Sequence, residues 1–173
     1  MEYILHIIIM LSIYVILVLS ANLPVGMANM LTMCQAAFYG IGAYIGTFFL
    51  MQFNLPFIVL AAIVMVATGL FSLLVSFASV KLKDDYFILA TLGFQMIVYT
   101  ILYNWTDVTR GPYGIPGIPS IKLFGVWSIS GVWGYAALSI VLAVAIALLF
   151  NAIKKSPYGR VLKAMRRDEQ AVK

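Results

Sequence analysis

Five polar side chains stand inside otherwise apolar stretches of this chain: Asn29, Thr32 and Gln35 early on, Thr91 and Gln95 near the middle. Amides and hydroxyls of this kind donate and accept hydrogen bonds. Their chemistry is recognition, not bond making. Thr91, Gln95 and Tyr99 recur at i, i+4 and i+8, which puts them on one helical face. Such a stripe faces the interior of a helix bundle or lines a solute path. Asn29 and Gln35 either contact a solute or bridge two helices. The groups that covalent catalysis requires are missing from the pattern. No span holds paired histidines or carboxylates, no nucleophile has a matching base, and no phosphate-binding glycine loop is present. His6 stands alone and Cys34 is the sole cysteine, so neither suggests a metal set or a disulfide within the chain. Asp84 and Asp85 adjoin Lys81 and Lys83, where local charge pairing is the ordinary reading. The chain is expected not to be an enzyme.

The elements that position these side chains follow from composition. The 173 residues are 64% hydrophobic and 10% charged, with a mean hydropathy of +1.04. That lies far outside the range of a soluble domain. A helix needs about 20 mostly apolar residues to cross the hydrocarbon of a bilayer. Five stretches qualify, near 3–23, 30–53, 56–80, 86–105 and 132–153. The fold class is therefore all-α, a polytopic transmembrane helix bundle. The first stretch lacks a basic leader and a small-residue cleavage site, so it reads as a retained span. Pro24 and Gly26 interrupt the helix just after it. Non-helical backbone at membrane depth is tolerated only where protein or a water-filled cavity surrounds it. Gly40, Gly42 and Gly46 suit close helix approach, and the small residues at 69, 72, 76 and 79 share a face of the third span that suits interhelical packing. Between 106 and 131, Gly111, Pro112, Gly114, Pro116, Gly117 and Pro119 break helix repeatedly, which predicts an extramembrane loop.

Charge orients the bundle. Residues 154–173 carry seven basic side chains against two acidic ones, a balance equal to the whole net charge of +5. Tyr158, Val161, Leu162, Met165 and Val172 fall on one helical face, with Glu169 among them, and Ser156–Pro157 fits an N-cap and first helical position. A short amphipathic helix is predicted, attracted to anionic lipid at about 1 kcal/mol per basic residue or docked on a cytoplasmic partner. Nine basic residues fall on the side of Lys81, Lys83 and the tail, and two (Arg110, Lys122) on the other. The tail side is therefore expected to be cytoplasmic. The 106–131 loop is then extracytoplasmic, and so is the N-terminus unless 30–53 is re-entrant.

Three passages resemble the M-type membrane permease subunit of branched-chain amino acid ABC importers. They are NLPVGMANMLTMCQAAFYGIGAY (22–44), LKDDYFILATLGFQMIVYTILYNWTDVTRGPYGIPGIPS (82–120) and SPYGRVLKAMRRDEQAVK (156–173). The resemblance implies that 1–153 is the permease region. It makes 154–173 a cytoplasmic coupling segment whose Gly159, Arg160, Ala164, Arg166, Asp168 and Glu169 dock on a cytoplasmic ABC ATPase. It further implies a second permease subunit and a periplasmic or lipid-anchored solute-binding protein. The expected location is a multi-pass place in the bacterial or archaeal plasma membrane, surrounded by lipid, with no nucleic-acid partner. No cofactor is expected in this chain, ATP being bound by the partner subunit. The family's second Gly, then Ser, Gly and His, are replaced in the first passage by Asn29, Thr32, Cys34 and Gln35, and Arg110 stands where a glycine is usual. Related permeases move urea and short amides, so those solutes are the alternative to branched-chain amino acids. The family normally continues with further spans after the coupling segment. The chain is accordingly expected to be a fragment, and a non-transporting membrane anchor is the remaining alternative.

Overall fold

The computed structural model describes residues 2–27, 30–79, 82, 84–122, 129, 131–157 and 159–160. Six α-helices follow one another: α1 (Glu2–Asn22), α2 (Gln35–Phe53), α3 (Phe57–Ser79), α4 (Asp84–Asn104), the single turn α5 (Thr106–Thr109) and α6 (Val132–Lys155). All but α5 are long and apolar enough to cross a membrane. No β-strand longer than one bridging residue occurs among the described residues.

The chain divides into two compact units, 1–32 with 131–173, and 33–130. In the first, α1 packs against α6, burying Leu5 and Ser12 of α1 and Ala136 of α6. Ser12 and Ser139 return their hydroxyls to the carbonyls of Ile8 and Ala136 at 2.9 Å each, so neither leaves an unpaired donor in apolar surroundings. The interruption expected at Pro24 and Gly26 takes the form of a π-helical turn, Leu23–Met27, that continues α1. Proline has no amide proton and its ring displaces the carbonyl four residues back, which favours a wider turn. Gly26 leaves room for the side-chain oxygen of Asn22 where a Cβ would otherwise sit.

In the second unit α2 packs on α3 and α4 around Cys34, Ala37, Ile41, Val75 and Val98. The α2 glycines act as spacers. A Cβ on Gly42 would lie 3.3 Å from Thr68 Cγ2, one on Gly46 3.4 Å from Val64 Cγ2, and one on Gly40 3.1 Å from Leu102 Cδ1. The face that α3 offers to these glycines therefore carries Val64 and Thr68. The small stripe expected to pack, at 69, 72, 76 and 79, is a different face. Gly69, Ser72 and Ser76 are exposed within the unit, and of the four only Ser79 is buried.

Helix α2 starts later than the apolar stretch that contains it. Residues 30–33 are non-helical, and the first helical bonds run from the amides of Ala37 and Phe38 to the Cys34 carbonyl. The helix ends on Asn54, which adopts left-handed geometry (φ 50°) and bonds Leu50 O through its amide, the usual asparagine alternative to a glycine stop. Beyond α4 the predicted loop folds as α5 and one 3₁₀ turn, Gly111–Tyr113. The buried Thr109 holds this knuckle together. Its hydroxyl oxygen lies 2.6 Å from Leu102 O and 2.8 Å from Trp105 O, and it accepts the Gly111 amide at 3.2 Å. The return of the loop is tied to α3, whose first amide, on Phe57, donates to Lys122 O at 2.8 Å.

Candidate solute recess and coupling elbow

Thr91 is the most deeply buried polar residue described, 1% exposed. Its hydroxyl donates to Ile88 O at 2.9 Å and accepts the Met33 amide at 3.2 Å. Thr91 lies seven residues into α4, about 10 Å along the axis at 1.5 Å per residue. A non-helical amide two residues before α2 is thus met alongside the body of a spanning helix, not at its end. Backbone at that depth needs a protein partner, and Thr91 is the partner. Of the stripe predicted on α4, Thr91 is committed to holding the backbone, whereas Gln95 and Tyr99, one and two turns on, reach an open recess.

That recess has a volume of about 330 Å³ and lies between α2 and α4. Helix α2 supplies a wall of minimal side chains, Ala36, Ala37 and Gly40. Helix α4 supplies Gln95 with Met96, Tyr99 and Leu102. Tyr99 stacks on Tyr103, ring centroids 5.7 Å apart, which fixes its ring beside the opening. The Oε1 of Gln95 is buried and has no hydrogen-bond partner among the described residues. An amide group left unpaired in apolar surroundings costs roughly 2–7 kcal/mol, so this buried oxygen is a local energetic cost. Gln35 opens α2 and is half-buried, and Thr32 lies in the non-helical stretch at the border of the other unit. Asn29 lies outside the described residues.

In the first unit, α6 turns sharply at its end. Ser156 takes an extended conformation (φ −71°, ψ 163°) and its amide bonds Ile153 O at 3.1 Å. Its hydroxyl donates to Ile153 O at 2.8 Å and accepts the Gly159 amide at 3.3 Å. Pro157 occupies the first position of the new turn, and the Arg160 amide closes it on Ser156 O at 3.3 Å. This is the N-cap predicted for Ser156–Pro157. Gly159 is buried against the end of α6, where a Cβ would collide with the carbonyl oxygens of Ile153 and Lys154, the latter at 2.8 Å. Arg160 is exposed, as are Lys154 and Lys155, two cations favourably placed in the last turn of a helix. Of the other predicted coupling residues, Ala164, Arg166, Asp168 and Glu169 lie outside the described residues.

The model of the branched-chain amino acid transport system permease component matches residues 3–173, almost the entire chain and both passages that build the recess and the elbow. The chain belongs to this family. It is similar to the high-affinity branched-chain amino acid transport system permease protein LivM of Salmonella typhimurium, with 34% identity over 189 residues, covering 94% of this chain and 43% of that protein. The LivM permease of Escherichia coli is 33% identical over 186 residues, covering 92% and 43%. A probable LivM of Methanocaldococcus jannaschii is 34% identical over 116 residues, covering 67% and 32%. The chain thus spans less than half the length of these permeases. No solved structure matches it.

The Ser156–Pro157 cap was readable from the sequence, and Gln95 and Gly159 were singled out there for a solute path and for ATPase docking, not for the recess wall and the buried corner where they lie. The sequence did not single out Ala37 or Gly40 as a recess wall, because small residues at that spacing serve helix packing equally well. Nor did it pair Met33 with Thr91, two residues 58 positions apart.

Proposed function

We propose that this chain is a membrane subunit of an ATP-driven ABC importer in the plasma membrane and passes branched-chain amino acids inward. Residues 154–173 receive the movement of a cytoplasmic ATPase that binds the ATP. A second permease subunit completes the path, and a periplasmic or lipid-anchored binding protein delivers the solute. The observation that carries the reading is the permease match, which runs through the elbow to residue 173. The elbow supports it physically. A helix that ends in a glycine-tight, doubly bonded corner passes rigid-body motion to the residues that follow it, as rocking of membrane subunits requires. Cation-rich tails also bind lipid, but lipid attraction does not require a fixed corner.

The test uses the complete importer. A cysteine replacing Ala164 is expected to crosslink to the ATPase, and Glu169→Lys is expected to abolish leucine uptake while membrane insertion persists. Crosslinking to lipid alone, together with unchanged uptake in Glu169→Lys, would overturn the coupling role. Uptake of urea or acetamide in place of leucine would overturn the substrate class.

A further inference from the structure

We infer that the exposed face of α6, at its carboxyl end, is a binding site for one anionic phospholipid, whose phosphate is held by Lys155 and Arg160 and whose glycerol region meets Asn151. The inference requires only that α6 cross a membrane, and it stands whatever solute the permease carries.

Val141, Val144, Leu148, Asn151 and Lys155 follow one another at intervals of three or four residues, which makes them one row along the helix. All five are exposed. The row passes from hydrocarbon to amide to ammonium, the order of polarity along a phospholipid from acyl chain through glycerol ester to phosphate. It carries no glycine, alanine or serine, the residues that let a second helix approach closely.

Depth follows the same order. Helix α6 has 24 residues, a length of about 36 Å against about 30 Å of hydrocarbon. Its last turn therefore emerges into the interfacial layer, about 5–8 Å thick on each side, and Asn151 and Lys155 stand about 6 Å apart along the axis. Asn104, likewise at the end of its helix, returns its amide to Thr100 O at 2.9 Å. Asn151 makes no side-chain hydrogen bond among the described residues, so its amide is free to donate to an ester or phosphate oxygen.

Charge completes the site. Lys154, Lys155 and Arg160 are exposed, and the corner folds Arg160 back toward the lysines, since its neighbour Gly159 lies against the Lys154 carbonyl. The Ile153 carbonyl already accepts both the amide and the hydroxyl of Ser156, so it does not need the ammonium groups. The described part of this unit holds one acid, Glu2, in the first turn of α1. Three gathered cations call for an anion, and a guanidinium beside ammonium groups suits a phosphate.

The test is photocrosslinking of this chain in its native membrane complex, with p-benzoylphenylalanine at position 148, or at position 144 should the first fail to insert. The vesicles contain equal parts of phosphatidylglycerol and phosphatidylcholine. Adducts are expected to favour phosphatidylglycerol roughly fivefold or more, the preference that one juxtamembrane cation confers. Lys155→Gln is expected to erase most of that preference, Asn151→Leu to lower it, and Lys155→Arg to keep it. Lys83→Gln removes a cation expected on the same side of the membrane, but from the other unit, and is expected to change nothing. Equal adducts to the two lipids would overturn the inference. An equal loss in Lys83→Gln would reduce it to diffuse surface attraction, and adducts to protein alone at both positions would show that another helix covers the row. The readout needs no transport, so a failure of the importer reading leaves each of these outcomes decisive.

Discussion

Gly159 lies so close to Lys154 that a Cβ on the glycine would stand 2.8 Å from the lysine carbonyl oxygen. The last turn of α6 and the first turn beyond it are therefore in backbone contact. Flexible side chains can yield to such crowding, but two main chains cannot without reopening the corner.

Gly159→Ala is accordingly expected to open the elbow and reduce uptake by an order of magnitude or more, with normal membrane insertion. Gly69→Ala is the matched control, since a Cβ there meets nothing within 4 Å. It is expected to leave uptake unchanged or raise stability slightly through helix propensity. Equal uptake by the two variants would remove the elbow from the transport cycle.

Ser156→Ala removes both hydroxyl bonds of the corner and is expected to cost about 1 kcal/mol, as for other lost caps. Faster hydrogen exchange of the Gly159 amide is the direct readout. Ser156→Thr keeps a hydroxyl and is expected to restore most of the protection.

Thr91→Val is nearly isosteric but leaves the Met33 amide unpaired at membrane depth. A loss of about 1–3 kcal/mol is expected, measured as a lower unfolding midpoint in detergent. Thr91→Ser retains the acceptor and is expected to lose less. If Val is as stable as Thr, the bond is not holding the entry to α2.

Gly111→Ala forces a side chain onto a residue at φ +55° and against the Tyr103 carbonyl. Gly117→Ala meets only the unfavourable φ of +76°, with open space around it, worth about 1–2 kcal/mol at most. Gly111→Ala is expected to be the more damaging, read as faster proteolysis between residues 114 and 120.

The five long helices were legible in the sequence because an apolar run of spanning length, nearly free of charge, seldom folds as anything but a membrane helix. The Ser156–Pro157 cap was legible for a similar reason, being a local signal. The late start of α2 was not. Met30, Leu31 and Met33 are as apolar as any helix interior, and the partner that satisfies the non-helical Met33 amide is a hydroxyl 58 residues away. The α3 stripe is open within its unit except at Ser79. Serines and a glycine on one face suit close packing, yet the glycines that set the spacing stand on α2, and they draw Val64 and Thr68 toward them. On α4, the i, i+4 pattern grouped Thr91 with Gln95, but only tertiary contact separates the residue that braces a neighbour from the one that lines the recess.

The bond between Met33 and Thr91 also bears on biogenesis. A ribosome makes the donor well before the acceptor, with all of α2 and α3 emerging in between. Until α4 arrives, the nascent segment ahead of Gln35 must find a temporary host for its amide, either water at the bilayer surface or the wall of the insertion machinery. The bond that ties Met33 to its neighbour therefore forms only once α4 is in place.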